Sequence, residues 1–183
     1  MKAHICLNND MKTYKYRLYP TKQQKLVLHT TLEFCRLLYN TALEQRRTAY
    51  RQFGVSLNYY DQANELTALK ECFPEYKSIH SQVLQDVLKR TEKAFQNFFR
   101  RVKAGEKPGF PRYKGKGWYD SFTYPQAGFA LSDNARGNRK LKLSKIGNIS
   151  IRLHRPVTGR IKTCTITREH DQWYVCFTCE SDP

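Results

Sequence analysis

Acidic side chains are scarce in this sequence of 183 residues, which has 16 Asp and Glu against 32 Lys and Arg and a formal net charge of +16. It also lacks an apolar run long enough to cross a membrane and any signal-peptide pattern. These absences predict a cytosolic protein. Excess lysine can simply keep a surface soluble, but a charge this large on so short a chain favours a polyanionic partner. Nucleic acid is the first candidate and an anionic membrane surface the second; without a membrane segment, we expect nucleic acid and no membrane.

Paired cysteine motifs are nearly absent as well. Of six cysteines, only Cys176 and Cys179 have the spacing of metal ligands, and a structural zinc site usually takes two such pairs. The same segment alternates like a β-strand, in which side chains three positions apart point to opposite faces. We therefore expect reduced thiols and no bound metal or cofactor.

No catalytic motif stands out in the sequence. A two-metal nuclease needs several carboxylates that converge on one site, whereas the acids of the C-terminal part are scattered over predicted turns and strand ends. These acids are Asp120, Asp133, Glu169, Asp171, Glu180 and Asp182. No Gly-rich phosphate loop or nucleophile motif occurs, and no histidine has a partner at ligand spacing. The residues therefore predict a protein that is not an enzyme on its own.

The N-terminal part predicts a leader, a strand and a long helix. Residues 1–11 form the leader, and residues 12–20 alternate polar and apolar side chains like a half-exposed strand. Thr21 and Gln24 match a capping box, so a helix should begin there, and Gly54 should end it.

Two further helices should follow. Asn58 is a start signal for the second helix, and Pro74 marks its end. The third helix should begin near Ser78 or Ser81 and end at about Lys103. This helical part could be called a helix-turn-helix, but its helices and links are longer than those of a DNA-reading helix-turn-helix. A helical lobe that grips a duplex is the preferred interpretation.

The two long helices each combine an apolar stripe with a basic face. The stripes recur at helical spacing and should be core, with Arg46 as an interruption. They contain Leu28, Leu32, Cys35, Tyr39, Ala42, Ala49 and Phe53 in the first helix, and Leu84, Val87, Leu88, Thr91, Phe95, Phe98 and Val102 in the third. The other faces carry Arg36, Asn40, Arg47 and Arg51 on the first helix, and Lys89, Arg90, Lys93, Asn97, Arg100 and Arg101 on the third. Charge at the end of the third helix also suits the helix dipole.

The character of the chain changes after residue 106. Residues 107–168 contain 14 Lys and Arg and two acids, against 18 and 10 in residues 1–106. Apolar residues now recur at period two, which predicts about four to six short strands. Glu169-His170-Asp171 lies between two of these runs, as a hairpin turn would. These strands would form a small barrel or sandwich. Because the strand at 12–20 can join them, we expect an α+β fold: a small, OB-like β-barrel interrupted by a three-helix insertion at 21–106. Residues 125–183 would complete the barrel.

The segment 107–124, which we call the basic-aromatic segment, mixes three residue types. Its basic residues can neutralise phosphates, and its aromatic residues can stack on bases. Its glycines allow the backbone to approach the nucleic acid closely. The candidates are Lys107, Phe110, Arg112, Tyr113, Lys114, Lys116, Trp118, Tyr119, Phe122 and Tyr124. The alternative is a surface loop whose aromatic side chains plug the barrel.

Three stretches resemble the TnpB (OrfB) proteins of bacterial insertion sequences, which are relatives of the type V CRISPR effectors. The first is Tyr16-Arg17-Leu18-Tyr19-Pro20-Thr21, and the second is Cys35-Arg36-Leu37-Leu38-Tyr39-Asn40, followed by Arg46 and Arg47. The third and most specific is Asn97-Phe98-Phe99-Arg100-Arg101-Val102-Lys103, which leads into Pro108-Gly109-Phe110-Pro111-Arg112-Tyr113. Residues 141–143 and 173–175 resemble the family less specifically.

The resemblance implies a β-barrel wedge domain interrupted by a helical recognition domain, with a RuvC-like nuclease domain after them. It implies two partners, a guide RNA made from the transposon end and double-stranded target DNA, and a place in the bacterial cytosol or nucleoid. In such proteins the chain recognises the shape of the duplex and a short motif beside the target, while base pairing with the guide recognises the target sequence.

The resemblance also implies residue roles. Tyr59, Gln85 and Thr123 resemble residues that face the motif duplex, although helix packing and a solvated surface explain Tyr59 and Gln85 equally well. Phosphate contacts are assigned to Arg36, Arg100, Arg101, Arg112, Lys114 and Lys116.

The family's nuclease domain and its catalytic acids do not match any part of this sequence. We therefore expect a binding fragment, with the nuclease half as a possible partner in trans. The first rival is a stand-alone DNA-binding regulator or transposition accessory that recognises a transposon-end duplex. The second is a metal-dependent nuclease in its own right, which the missing carboxylate cluster disfavours.

Overall fold

The computed structural model describes residues 11–133 and 139–180. Residues 1–10 of the predicted leader lie outside this part of the chain, while Met11 begins strand β1 (Met11–Tyr19). Helix α1 (Lys22–Phe53) begins at the predicted capping box: the Gln24 amide donates to Thr21 Oγ1 at 3.3 Å, and the Thr21 amide donates to Gln24 Oε1 at 3.0 Å. It ends at Gly54, whose φ of 66° lies in the left-handed region that glycine adopts without strain.

The predicted second helix is divided into two pieces, α2 (Tyr59–Asn64) and α3 (Leu66–Cys72). A short 3₁₀ helix over Pro74–Ser78 begins where the second helix was expected to end. The Glu65 amide donates to the Gln62 carbonyl at 3.2 Å, three residues back rather than four, and this tighter turn interrupts the α-helix. The third predicted helix is α4 (Ser81–Lys103), and His80 rather than a serine caps it, because its Nδ1 accepts from the Gln82 amide at 3.3 Å.

Within the described residues, seven antiparallel strands form one sheet, which confirms the α+β class. Those after β1 are β2 (Ser121–Tyr124), β3 (Phe129–Asp133), β4 (Arg139–Leu143), β5 (Gly147–Arg152), β6 (Arg160–Glu169) and β7 (Gln172–Glu180). Their order is β2-β6-β7-β1-β5-β4-β3. β1 thus joins the later strands, as predicted, and the helices are inserted between β1 and β2. The predicted hairpin turn is His170-Asp171, between the paired residues Glu169 and Gln172.

The sheet is not closed, so the expected barrel was wrong in this respect. β2 and β3 are the two edges among the described strands, although only residues 125–128 separate them in sequence. The reason is helix α4, which covers β2 where a closing strand would lie: Arg90 Nη1 donates to the Ser121 carbonyl at 2.7 Å. Gln82 on the same helix accepts from the Ala127 amide at 3.0 Å.

The helices and the sheet share one hydrophobic core. Its largest fully buried side chains are Trp173, Tyr16, Tyr124, Phe122 and Phe177, all from strands. Helix stripes are buried as predicted from Leu28 to Ala42 and from Leu84 to Phe95.

The predicted stripes fail in two ways. Phe53 is 74% exposed and Val102 is 48% exposed, since both lie in the last turn of their helix, where side chains remain accessible. Arg46 does not interrupt the core but lies inside it, with 6% exposed. None of the described helices is long and apolar enough to span a membrane.

Candidate nucleic-acid interface

The basic-aromatic segment divides into two parts in the structure. Its last four residues form β2, and residues 107–120 form a loop between α4 and β2 that lies along the polar face of α1. The alternative, in which aromatic side chains fill the core, holds for the end of the segment: Tyr119 at the end of the loop, and Phe122 and Tyr124 on β2, are buried in the core. The aromatic side chains nearer the start of the segment remain accessible.

Asn40 on α1 holds the middle of the 107–120 loop. Its side-chain Nδ2 donates to the Lys114 carbonyl at 2.9 Å, and its Oδ1 accepts from the Lys114 amide at 2.8 Å. Both backbone groups of Lys114 are therefore satisfied by one side chain, as they would be in a β-ladder. This arrangement turns the Lys114 side chain outward, where it is exposed.

Arg36 lies one helical turn before Asn40 and supports the same point. Its Nη1 donates to the Lys114 carbonyl at 2.9 Å, while Nε and Nη2 donate to Glu33 at 3.0 and 2.5 Å. The hydrogen bonds from Arg36 lower the pKa of Glu33. Arg36 therefore has a positioning role in this structure, and its phosphate contact stays a prediction.

Arg47 and Tyr113 hold the first part of the loop. Arg47 Nη1 donates to the Tyr113 hydroxyl at 2.7 Å, and that hydroxyl donates to the Glu44 carboxylate. The hydrogen bond from Tyr113 lowers the pKa of Glu44. The Arg47 guanidinium also lies over the rings of Phe110 and Tyr113, at 5.7 and 5.3 Å from their centroids.

Arg168 on β6 holds the end of the loop. Its Nη2 donates to the Gly117 carbonyl at 3.1 Å and to Asp120 Oδ1 at 2.8 Å. Between these anchors, the Trp118 amide donates to the Gly115 carbonyl at 3.1 Å, and Gly117 at φ 81° completes this tight turn. The loop is therefore fixed at three places along its length.

A row of exposed cationic and aromatic side chains results. Arg112, Lys114 and Lys116 are exposed, and Trp118 is 77% exposed at the turn. Cations on a fixed backbone can neutralise neighbouring phosphates without much loss of loop entropy, and an exposed indole can stack on a base. We call these four side chains the loop row.

Other predicted cationic contacts lie on the helices. Lys93, Arg100 and Arg101 are exposed on α4, and Arg51 is exposed in the last turn of α1. Arg100 and Arg101 occupy the last turn of α4, where a positive charge also stabilises the helix dipole. The structure therefore gives these two residues a stabilising role that is compatible with a phosphate contact.

The three residues predicted to face a duplex lie around α4. Gln85 is half-buried on α4, and one turn later Lys89 Nζ lies 5.5 Å from the ring of Tyr59 on α2. Thr123 Oγ1 accepts from Arg90 Nη2 at 2.8 Å and lies 2.9 Å from Thr165 Oγ1. The Thr123 hydroxyl is thus engaged within the fold, and the duplex contacts of all three residues remain predictions.

Three arginines that organise the site were not among its predicted residues. Arg168 anchors the loop, Arg90 joins α4 to β2, and Arg46 joins α1 to α2 and α4. Arg46 had a signal, because it occupies a core position of the helical stripe. The sequence gives no signal for the contacts of Arg90 with β2 or of Arg168 with the loop, since these partners lie 31 to 51 residues away.

Three acids in or next to the sheet each form an ion pair with a different cation. Asp120 pairs with Arg168 at 2.8 Å, Glu169 with Lys15 at 2.5 Å and Glu180 with Lys162 at 2.5 Å. Within the described ranges, no group of three or more His, Cys, Asp or Glu side chains could hold a metal ion. Cys179 is buried while Cys176 is half-buried, on opposite faces of β7 as the strand pattern predicted, and burial raises the pKa of both thiols.

The anchoring role of Asn40 can be tested without nucleic acid. We expect Asn40→Ala to increase local opening of the loop roughly tenfold, because two hydrogen bonds together stabilise it by about 1–2 kcal/mol. The measurement is the hydrogen-exchange rate of the Lys114 amide. Thr41→Ala, at an exposed position of the same turn, is the matched control; equal exchange in both variants would contradict the anchor.

Residues 11–54 match a known protein family. A family model described as a helix-turn-helix domain, of the OrfB type, matches residues 11–54. In the structure this span is β1 followed by the single long helix α1. The matched region therefore contains one strand and one helix rather than two helices joined by a turn.

Two curated relatives match almost the entire chain. A protein of Escherichia coli (strain K12), provisionally named RNA-guided DNA endonuclease InsQ, is 32% identical over 94% of this chain. A protein of Streptomyces pristinaespiralis, also provisionally named RNA-guided DNA endonuclease, is 32% identical over 92% of it. This chain spans 41% of the length of each relative. A solved Cas12f1–sgRNA–target DNA complex has a TM-score of 0.49 at 9% identity, covering 95% of this chain and 49% of that chain.

Proposed function

We propose, on the premise that this chain is a TnpB/OrfB-like N-terminal region, that it binds a guide RNA and target DNA. The observation that carries the proposal is the loop row, which α1 and β6 hold in an exposed position. Of the residues predicted to bind phosphate, Arg112, Lys114 and Lys116 are exposed together on this loop.

RNA and DNA are the partners that the names of the two relatives support. Both relatives are named for RNA-guided action on DNA. A protein of this kind holds the guide–target duplex through its backbone and shape, while base pairing supplies the sequence specificity. A fixed row of cations beside an exposed indole suits that task, because such contacts depend on phosphates and base faces rather than on base identity.

The remaining candidates receive different roles in this proposal. Arg36, Asn40 and Arg47 position the loop, while Lys93, Arg100, Arg101 and Arg51 extend the cationic surface along the helices. Tyr59, Gln85 and Thr123 would face the duplex beside the target. Thr123 would contact DNA through its methyl group, because its hydroxyl is hydrogen-bonded to Arg90 and Thr165.

We further propose that this chain binds nucleic acid without cleaving it. Three acids of the sheet form separate ion pairs with Arg168, Lys15 and Lys162, whereas a two-metal site needs carboxylates that share their ions. We expect a labelled target duplex to stay intact with Mg²⁺ and the purified chain, and a nuclease domain added in trans to restore cutting. Mg²⁺-dependent cleavage that persists through stringent purification would contradict this.

A gel-shift series at moderate salt tests the binding proposal. We expect retarded complexes with structured RNA from a transposon end, and with target DNA when guide RNA is present. No shift with any RNA or DNA would overturn the proposal. Specific binding of a transposon-end duplex without RNA would instead support the DNA-binding regulator.

A further inference from the structure

A cleft lies between the C-terminal halves of α1 and α4, next to the surface that the proposed function uses. It has a volume of about 790 Å³, within the range of small-molecule sites. The segment after Gly54 forms one wall, and Phe110 from the 107–120 loop forms another. The cleft is therefore continuous with the loop.

Accessible aromatic rings line this cleft. Phe98 contacts both Phe99 and Phe110, with ring centroids 5.2 Å apart in each pair. Phe99 is 51% exposed, Phe110 is 43% exposed and Tyr50 is 67% exposed. A cluster of accessible rings at one place marks a binding surface, because it leaves apolar area in water.

The mouth of the cleft is cationic. Arg47 and Arg51 both line it. The acid in the lining, Glu92, is already paired with the buried Arg46 at 2.8 Å. An apolar interior with an arginine-bearing mouth is complementary to a flat ring that carries a phosphate.

The loop row lies next to this cleft. Arg47 lies over Phe110, which lines the cleft, and over Tyr113, which borders the loop row. A strand whose phosphates follow Arg112 and Lys114 would therefore reach the cleft within a few residues of the loop.

We infer that the cleft takes an unpaired nucleobase of the bound nucleic acid, stacked on Phe99 and Phe110, with the adjoining phosphate at Arg47 or Arg51. This inference rests on the proposed function. A paired base cannot enter, because its ring faces are covered by the neighbouring bases of the duplex. The site thus distinguishes single-stranded from double-stranded stretches.

Binding of two probes tests the inference: a single-stranded oligothymidylate and a fully paired DNA duplex of the same length. Stacking contributes about 1–3 kcal/mol per base, so we expect Phe99→Ala to weaken oligothymidylate binding by about 5- to 100-fold. Duplex binding should change less than about twofold. Phe73→Ala is the matched control, since Phe73 is similarly exposed, at 56%, and does not line the cleft.

A second variant separates stacking from folding. Phe99→Leu keeps an apolar side chain without a ring and should lose the same single-strand affinity, with an unchanged melting temperature. An oligonucleotide containing 5-iodouracil should photo-cross-link to the peptides that carry Phe99 or Phe110. Cross-links found only elsewhere would overturn the inference.

The outcomes distinguish the two proposals. If the wild-type chain binds neither probe and no transposon-end RNA, the proposed function fails. If it binds nucleic acid and Phe99→Ala weakens both probes equally, or neither, only the nucleobase inference fails. Sedimentation experiments could show a dimer that the Phe99→Ala substitution dissociates. That result would show that a second copy of the chain occupies the cleft, and it would also overturn the inference.

Discussion

Replacing Arg46 with alanine is expected to lower the free energy of unfolding by about 3 kcal/mol. Arg46 is 6% exposed in the stripe of α1 that faces the other helices. Its Nε donates to Gln62 Oε1 at 2.8 Å, and its Nη2 lies 2.8 Å from Glu92 Oε2. The guanidinium also lies over the Phe95 ring at 5.2 Å. One side chain thus joins α1 to both α2 and α4.

The size of the effect follows from what alanine leaves behind. Without the guanidinium, Glu92 loses its ion-pair partner; its side chain is 24% exposed, but the Oε2 atom that faces Arg46 is buried. A charge left unpaired at such an atom costs more than the pair contributed. The Gln62 side chain also loses one partner, although its Nε2 still donates to the Ala42 carbonyl at 2.9 Å. A cavity forms where the aliphatic stem packed.

Chemical denaturation with circular dichroism measures this prediction. Arg51→Ala, on the same helix but exposed, is the control and should change stability by less than about 0.5 kcal/mol. The double variant Arg46→Met and Glu92→Leu should recover most of the loss, because it removes both charges and keeps the volume. An Arg46→Ala variant as stable as Arg51→Ala would show that the buried ion pair does not join the helices.

Removing the charges of the loop row should weaken nucleic-acid binding about a hundredfold at physiological salt. The change is the triple variant Arg112→Gln, Lys114→Gln and Lys116→Gln. Each phosphate contact contributes about 0.9 to the slope of log affinity against log salt for duplex DNA, so the slope should fall by about 2 to 3. These side chains extend from a loop whose backbone is held by α1, so the substitutions should leave the fold unchanged.

A salt titration of binding to duplex DNA and to RNA checks this result. The matched control replaces three other exposed lysines, Lys12, Lys22 and Lys77, with glutamine and so removes the same charge. If net charge alone attracts nucleic acid, both triple variants should lose the same affinity. That outcome would contradict a defined interface at the loop row.

Local features of the fold could be predicted from the sequence because their physical causes are local. The capping box at Thr21, the end of α1 at Gly54 and the turn at His170 each depend on residues within a few positions. The alternation of β1 was sufficient to predict that it joins strands more than a hundred residues later, and the order β, helices, β was right.

Features that depend on distant pairs could not be predicted. Nothing in the sequence connects Asn40 with Lys114, 74 positions away, or Arg90 with Ser121. The open sheet has the same origin, because α4 occupies the edge of β2 that a closing strand would need. The predicted buried faces of α1 and α4 were right in the middle turns of each helix and wrong at Phe53 and Val102. Periodicity shows which side of a helix is apolar, but it does not show where the neighbouring element ends.

The candidate site was predicted in its composition but not in its arrangement. The basic-aromatic segment contains both the exposed loop row and the core residues Tyr119, Phe122 and Tyr124. The sequence pattern did not separate them. Arg36 was expected to contact phosphate, and Asn40 and Arg47 were candidates for nucleic-acid contact on the same helix face. The hydrogen bonds from these three residues to the loop add a second role that the pattern did not contain.

The most direct test of the account is to purify the wild-type chain and the loop-row triple variant from bacterial cells at moderate salt and to sequence the nucleic acid that accompanies each. We predict that the wild type carries a defined RNA from one transposon end and that the triple variant has lost most of it. Mixed nucleic acid that a salt wash removes from both proteins alike would contradict a guide-RNA interface at the loop row.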